Sequence, residues 1–276
     1  MKNLLVLTTA VVFLGGCGLS QNETENSPHR TMKSANQDSS REERVEEKPI
    51  AEEQPSRETA AEEEAAANPK FRMKDDFSLE SIENPAEKAV LLTIDDAPDK
   101  NALAMAQTLQ NLNARAIFFV NGHFIDRPEE AEVLKKIHDM GFSIGNHTYH
   151  HKGLKDLPEE EQRKEIVELN DRIEEITGER PKFFRAPFGV NTSYSKQIAA
   201  EEKMLVMNWT YGYDWEREYQ SREALADIMI NTPLLRNGAN LLLHDRKWTS
   251  EALGDIVKGL KGKGYTVVDP KLIETP

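Results

Sequence analysis

Five short polar clusters each follow an apolar run in the C-terminal two-thirds of the chain: Thr93-Ile-Asp-Asp-Ala-Pro98, His147-Thr-Tyr-His-His151, Arg185-Ala-Pro-Phe-Gly189, Asp214-Trp215 and Leu242-Leu-His244. They supply adjacent carboxylates, clustered imidazoles, a guanidinium and a distant His. Metal-assisted hydrolysis needs that inventory: a base for water, ligands for a cation, and an acid for the leaving group.

Each cluster also has a plainer reading. In extended chain Asp95 and Asp96 point to opposite faces, so one can hold a metal while the other meets a water. Asp-Asp-Ala-Pro reads equally as a turn with a helix cap. His147 and His151 are four apart, which on a helical turn puts both rings on one side. His150 intervenes and offers a second pairing. Three of the chain's seven His fall in these five positions, a bias that favours a metal site over a surface cluster. Imidazole plus carboxylate without thiolate suits zinc first, with cobalt, nickel or iron as alternatives. Three protein ligands would leave positions open for water and substrate. Arg185 could hold a carboxylate bidentately and keep its pKa low, although a surface ion pair is the commoner fate of an Arg. His244 reads as a general acid or as a core His with satisfied hydrogen bonds.

Apolar runs predict strands over Ala89–Ile94, Arg115–Val120, Phe142–Gly145, Lys182–Arg185, Met204–Trp209, Ala239–Leu243 and Tyr265–Val268. Amphipathic spacing predicts helices over Asn101–Leu112, Pro128–Met140, Pro158–Thr177, Ser193–Glu201, Ser221–Asn231 and Ser250–Lys261. Strands alternating with helices indicate an α/β fold, a parallel sheet with helices outside. An open doubly wound sheet and a (β/α) barrel both fit. Both bind ligands at the carboxyl ends of their strands, where all five clusters fall.

The rest of the chain bounds the setting. Residues 1–17 read as a signal peptide: Lys2, the apolar run Leu4 to Leu14, then Gly-Gly-Cys17. The small residues before Cys17 resemble the lipobox of bacterial lipoproteins, which implies lipidation of Cys17. It is the sole Cys, so no internal disulfide or thiolate-zinc site is available. Residues 18–70 are rich in Glu, Ser and Ala with almost no large apolar side chains, the composition of a disordered acidic linker. Such a tether would span roughly 40 Å r.m.s.. Residues 71–276 form the candidate catalytic domain, long enough for one core. A net charge of −13 argues against nucleic acid as partner.

Taken together, the five clusters resemble the motifs of the polysaccharide deacetylase family, the NodB-homology domain of family-four carbohydrate esterases. The resemblance covers about residues 85–270. It implies a distorted, TIM-like (β/α) barrel of about seven parallel strands with outer helices. It implies Asp95 as catalytic base and Asp96, His147 and His151 as the metal site. Arg185 corresponds to the residue that orients the base, His244 to the catalytic acid and Asp214 to the residue that tunes it. Phe188, whose backbone N–H can help hold an oxyanion, and Trp215 match groove walls. Leu242 matches the acetyl pocket. The implied substrate is a carbohydrate polymer, and N-acetylglucosamine in cell-wall peptidoglycan is expected. An O-acetyl ester would suit the same machinery. A lipid-anchored monomer on the extracellular face of the bacterial membrane is the expected setting.

Two positions depart from the family pattern. Ala97 stands where Gly is usual, which predicts a different turn, and Tyr211 stands where a second Asp often lies. These departures motivate a rival reading, a catalytically degenerate carbohydrate-binding lipoprotein. Gly141-Phe-Ser143-Ile-Gly145 also matches the serine-hydrolase G-x-S-x-G pattern, but it lies before and inside a predicted strand rather than at a strand-to-helix turn.

Overall fold

The computed structural model describes residues 68–276. The signal peptide expected over 1–17 with Cys17, and nearly all of the expected linker, lie outside the described residues. Nine strands are present among the described residues. Strands β1 (Phe71–Met73) and β2 (Leu79–Ser81) form an antiparallel hairpin, which the sequence reading does not anticipate. The main sheet contains β3 (Ala89–Ala97), β4 (Ile117–Val120), β5 (Ser143–Asn146), β6 (Phe183–Phe184), β7 (Leu205–Val206), β8 (Ala239–His244) and β9 (Thr266–Val267). Its order is β7-β6-β5-β4-β3-β8, and every pairing is parallel.

Two features curl this sheet into a distorted, incomplete (β/α) barrel. After two registered pairs with β6, β7 leaves its neighbour. The chain crosses to β8, where Thr210 N donates to Asn240 O at 2.8 Å and Tyr211 bridges Leu241. That crossing explains why the predicted strand Met204–Trp209 is observed only at Leu205–Val206. Strand β9 pairs with the start of β3 through the Lys88 and Val90 carbonyls, while the Ala89 and Asp95 carbonyls face Gly238 and Asp245 at either end of β8. Carbonyls alternate along a strand, so β9 lies on the edge of β3 opposite β8.

Strand β3 is covered on both faces, and Val90, Leu91, Leu92 and Ile94 are fully buried. This explains its unbroken apolar run, because a parallel strand between layers has no wet face. Val90, Leu92 and Ile94 pack toward the helices, whereas Leu91 joins Ile117 and Phe119 in the barrel interior. Each such side chain contributes roughly 1.5–3 kcal/mol by burial. The inward column Leu91, Thr93, Asp95 therefore ends on a carboxylate.

The helices are α1 (Ala102–Asn111), α2 (Pro128–Asp139), α3 (Glu159–Thr177), α4 (Ser193–Glu201), α5 (Arg222–Asn231) and α6 (Lys247–Gly262). Gly178 closes α3 in the left-handed conformation (φ 78°), its N–H donating to Glu174 O at 2.8 Å. Ser221 caps α5 by accepting from Ala224 N. Helix α6 starts three residues before the predicted Ser250. Ser143 opens β5, and a Cβ at Gly145 would lie 2.5 Å from the Phe119 ring. The glycine pattern there serves packing, and the serine-hydrolase reading falls.

Candidate active site

The site begins where β3 breaks its regularity. Pairing with β4 shifts register between Ile94 and Ala97, and Asp96 inside that bulge has φ 59°. Asp tolerates the left-handed region better than most residues. The irregular position is thus Asp96 and not Ala97, which stays in the strand, 1% exposed. Asp95 remains aimed inward and 2% exposed.

Arg185, fully buried just beyond β6, meets Asp95 with NH1 2.6 Å from Oδ1. The same nitrogen donates to Thr93 Oγ1 at 2.9 Å, and NH2 donates to the Asn208 carbonyl at 2.8 Å. The pair is single-pronged, not the bidentate one expected, because NH2 is committed to that carbonyl. Burial draws the guanidinium pKa down, and Asp95's charge and hydrogen bond oppose it. The ring of Phe119 lies 4.3 Å from the guanidinium carbon.

The His cluster is not the helical turn that its spacing suggests. Residues 147–151 leave β5 as an irregular bend with positive φ at Thr148 (68°) and His151 (55°). Buried amides hold it: Asn121 Nδ2 donates to the His147 carbonyl at 2.7 Å, and Asn146 Oδ1 accepts from Thr148 N at 2.9 Å. His147 Nδ1 lies 2.7 Å from the Arg185 carbonyl. A carbonyl only accepts, so the proton sits on Nδ1 and the Nε2 lone pair faces the site. His151 Nε2 is 3.7 Å from Asp96 Oδ1, and the two His rings are 4.9 Å apart. Asp96, His147 and His151 each bring one ligand atom within 4.8 Å of the others. Burial, then the neighbouring His147, lower the His151 pKa and favour the neutral, ligating form. His150 turns away to Glu165, with Nδ1 2.9 Å from Oε1. Of the two pairings, 147 with 151 is the one that converges. These donors fit a divalent cation of the zinc type.

His244 ends β8 directly opposite Asp95 in the β3 ladder, so both side chains leave the sheet on one side. Asp214, fully buried, accepts from His244 N at 2.6 Å and lies 2.7 Å from His244 Nδ1. Thr249 Oγ1 donates to Asp214 at 2.8 Å, and Trp248 Nε1 donates to its carbonyl. Burial alone would lower the His244 pKa. The Asp214 hydrogen bond and the charges of Asp214, Asp95 and Asp96 outweigh it and raise the pKa.

A polysaccharide deacetylase profile matches residues 82–207. A peptidoglycan-N-acetylmuramic acid deacetylase of Bacillus subtilis is 30% identical over 191 residues, 66% of this chain and 70% of that protein. The chain belongs to the polysaccharide deacetylase family. A Bacillus cereus peptidoglycan-N-acetylglucosamine deacetylase is 29% identical over 206 residues, covering 71% of this chain and 72% of its own length. Among solved structures, the family 4 carbohydrate esterase from Streptomyces lividans in complex with acetate superimposes with TM-score 0.59 at 26% identity, over 66% of this chain and 92% of that one. A family 4 pseudoenzyme from Bacillus anthracis gives TM-score 0.61 at 29% identity, over 69% and 68%.

The two departures from the deacetylase pattern have structural explanations. Tyr211 is 3% exposed and donates its hydroxyl to the Met229 carbonyl at 2.9 Å, while its backbone bridges β8. It helps close the barrel and leaves His244 to Asp214 alone. Phe188 (67% exposed, φ 59°) and Trp215 (45% exposed) flank the site, with rings 5.0 Å from His151 and 5.7 Å from His244 respectively. Leu242 is buried. His123 lies at the rim, its Nδ1 3.0 Å from the Tyr149 carbonyl.

Two contributors were missed in the sequence. Arg246 NH2 donates to Asp96 Oδ2 at 2.8 Å, and buried Asp245 accepts from Asp99 N, Asn101 N and Ala102 N at the start of α1. Their adjacency to His244 was the available signal.

Proposed function

We propose that residues 71–276 form a metal-dependent deacetylase acting on N-acetylglucosamine units of a polysaccharide, with cell-wall peptidoglycan the foremost candidate. One observation carries this reading: Asp95, the Asp96-His147-His151 donors and His244 converge at one end of the sheet, and Asp95, Asp96, His147 and His244 each have a hydrogen-bond partner that fixes them. In this reading Asp95 accepts a proton from the attacking water. Arg185 holds that carboxylate through Oδ1, while Oδ2 faces the ligand His, 3.5 Å from His147 Nε2. Asp96, His147 and His151 would hold one divalent ion, which when bound would supply Lewis acidity toward the acetyl oxygen. Phe188 N–H offers a donor to the developing oxyanion. His244, whose pKa the Asp214 hydrogen bond and charge raise, delivers a proton to the departing sugar nitrogen. Phe188 and Trp215 present exposed ring faces on which sugar rings can stack, and Leu242 gives the acetyl methyl an apolar contact.

The relatives' names support peptidoglycan as polymer. The lipobox-like Leu14-Gly-Gly-Cys17 supports a lipid-anchored domain on the extracellular face, at the end of an acidic tether. Acetate release from N-acetylglucosamine oligomers and from cell-wall fragments tests the activity. Chelation should abolish release, and zinc or cobalt should restore it. The pseudoenzyme neighbour supports a second reading, sugar binding without turnover. Binding of the oligomers without acetate release, under any of those metals, would establish it instead.

A further inference from the structure

The middle His of the cluster has no place among the ligands, yet it is anchored more firmly than an exposed side chain requires. His150 N donates to Glu165 Oε2 at 2.7 Å, and its Nδ1 lies 2.9 Å from Oε1. Lys152 Nζ lies 3.5 Å from the same Oε1. One residue earlier, Tyr149 N donates to the backbone carbonyl of Glu165 at 2.9 Å. Two consecutive amides of the bend thus end on a single residue. Glu165 stands on α3, whose Ile166, Leu169 and Ile173 are fully buried. Its own side chain is only 5% exposed, while His150 is 52% exposed.

Gln162 and Asn170 are the other buried polar side chains of this helix, but Glu165 alone is a carboxylate, and burying a carboxylate is costly unless its oxygens are satisfied. Here both oxygens are spent on the bend, and the bend is where help is needed. It carries left-handed, non-glycine conformations at Thr148 and at the ligand His151, which persist only where surrounding contacts over-determine them. On the far side, Tyr149 packs so closely over Gly122 that a Cβ there would lie 2.4 Å from the ring, and its hydroxyl donates to Asp126. The ligand at each end of the segment is therefore set by what grips its middle.

We propose that Glu165, acting through His150, is a positioning residue that sets His147 and His151 at ligating distance from Asp96. The inference rests on the metal-centre reading. Partners of this kind typically govern metal affinity by about 10- to 100-fold.

Metal affinity of the purified protein, measured by competition with a chromophoric chelator for zinc and by the visible spectrum of bound cobalt, tests it. Glu165→Ala should weaken binding by the folded protein about 10- to 100-fold and alter the cobalt spectrum, and it should lower the apo unfolding midpoint as the bend loses two hydrogen bonds. Glu165→Gln, which matches the carboxylate in shape, should fall between that variant and wild type. It decides the matter if the Ala variant does not fold. His150→Ala, which keeps the backbone bond to Oε2, should lose less than Glu165→Ala. Glu165 variants that bind zinc within twofold of wild type would overturn the proposal. Wild type that binds no better than His151→Ala would instead bring down the metal-centre reading, and this inference with it.

Discussion

The two ends of the sheet solve opposite problems. At the carboxyl end, Asp95, Arg185, His147 and Asp214 are all 3% exposed or less, and each is met by partners aimed at it. At the amino end, a cavity of about 530 Å³ lies between Gly141–Ile144, Arg180–Phe183 and the C-terminal segment. Its charges are half-exposed pairs such as His138 with Glu179 at 3.3 Å, and Arg180 is tied to Asp171, Glu174 and Glu202. Empty volume therefore does not mark the chemistry. Charge withdrawn from water and held by fixed partners does, because such an arrangement is expensive to maintain for packing alone.

The sharpest way to break this contrast is Asp95→Asn. It should lower kcat/KM for acetate release by about 10²–10⁴, and because it leaves the buried Arg185 guanidinium without a counter-charge it should also cost about 3–5 kcal/mol in urea unfolding. Arg185→Met comes next. It strands the Asp95 carboxylate in the interior and should cost about 3–5 kcal/mol in urea unfolding. Less severe is Asp214→Asn, which removes the bond that raises the His244 pKa. The alkaline limb of the pH–rate profile should then move to lower pH, and an unmoved limb would dissociate Asp214 from the acid. The same pair has a stability signature. With the folded pKa above the unfolded one, its contribution is full below about pH 6.5 and fades as pH rises through the folded value. The mildest change belongs at the other end. The His138 hydrogen bond, against the opposing effect of burial, holds Glu179 down at about 2, so its contribution is present above the unfolded carboxylate range and lost as pH falls toward that value. With the Glu179 side chain 45% exposed, solvent screens the pair. Glu179→Gln should cost under about 1 kcal/mol and leave acetate release within twofold.

Much of this was legible because the informative residues are local in sequence. Doubly buried strands announce themselves as unbroken apolar runs, and His147, His151 and Asp96 as polar residues just past them. What escaped depends on backbone geometry or on contacts distant in sequence. Spacing alone cannot distinguish a helical turn from the bend that carries Thr148 and His151, because both bring positions four apart together. Nor does pattern reveal that a hydrogen bond to Asn208 denies Arg185 its second prong, or that Tyr211 is a closure residue. The hairpin of β1 and β2 is missed because strands of three residues are too short for periodicity to register. Arg246 was invisible for another reason: a solitary Arg acquires meaning only when Asp96 arrives opposite it from 150 positions away.

Residues 244–246 touch three separate parts of the molecule in succession: Asp214, the opening of α1, and Asp96. Asp245 N also donates to the Asp95 carbonyl. The turn after β8 and the turn after β3 are consequently a single inheritable unit. A chimera that exchanged either one with a relative would combine halves never selected together. One that exchanged 95–102 and 244–246 jointly would carry over the contacts between the two turns, which makes that pair of segments the smallest cassette to transplant.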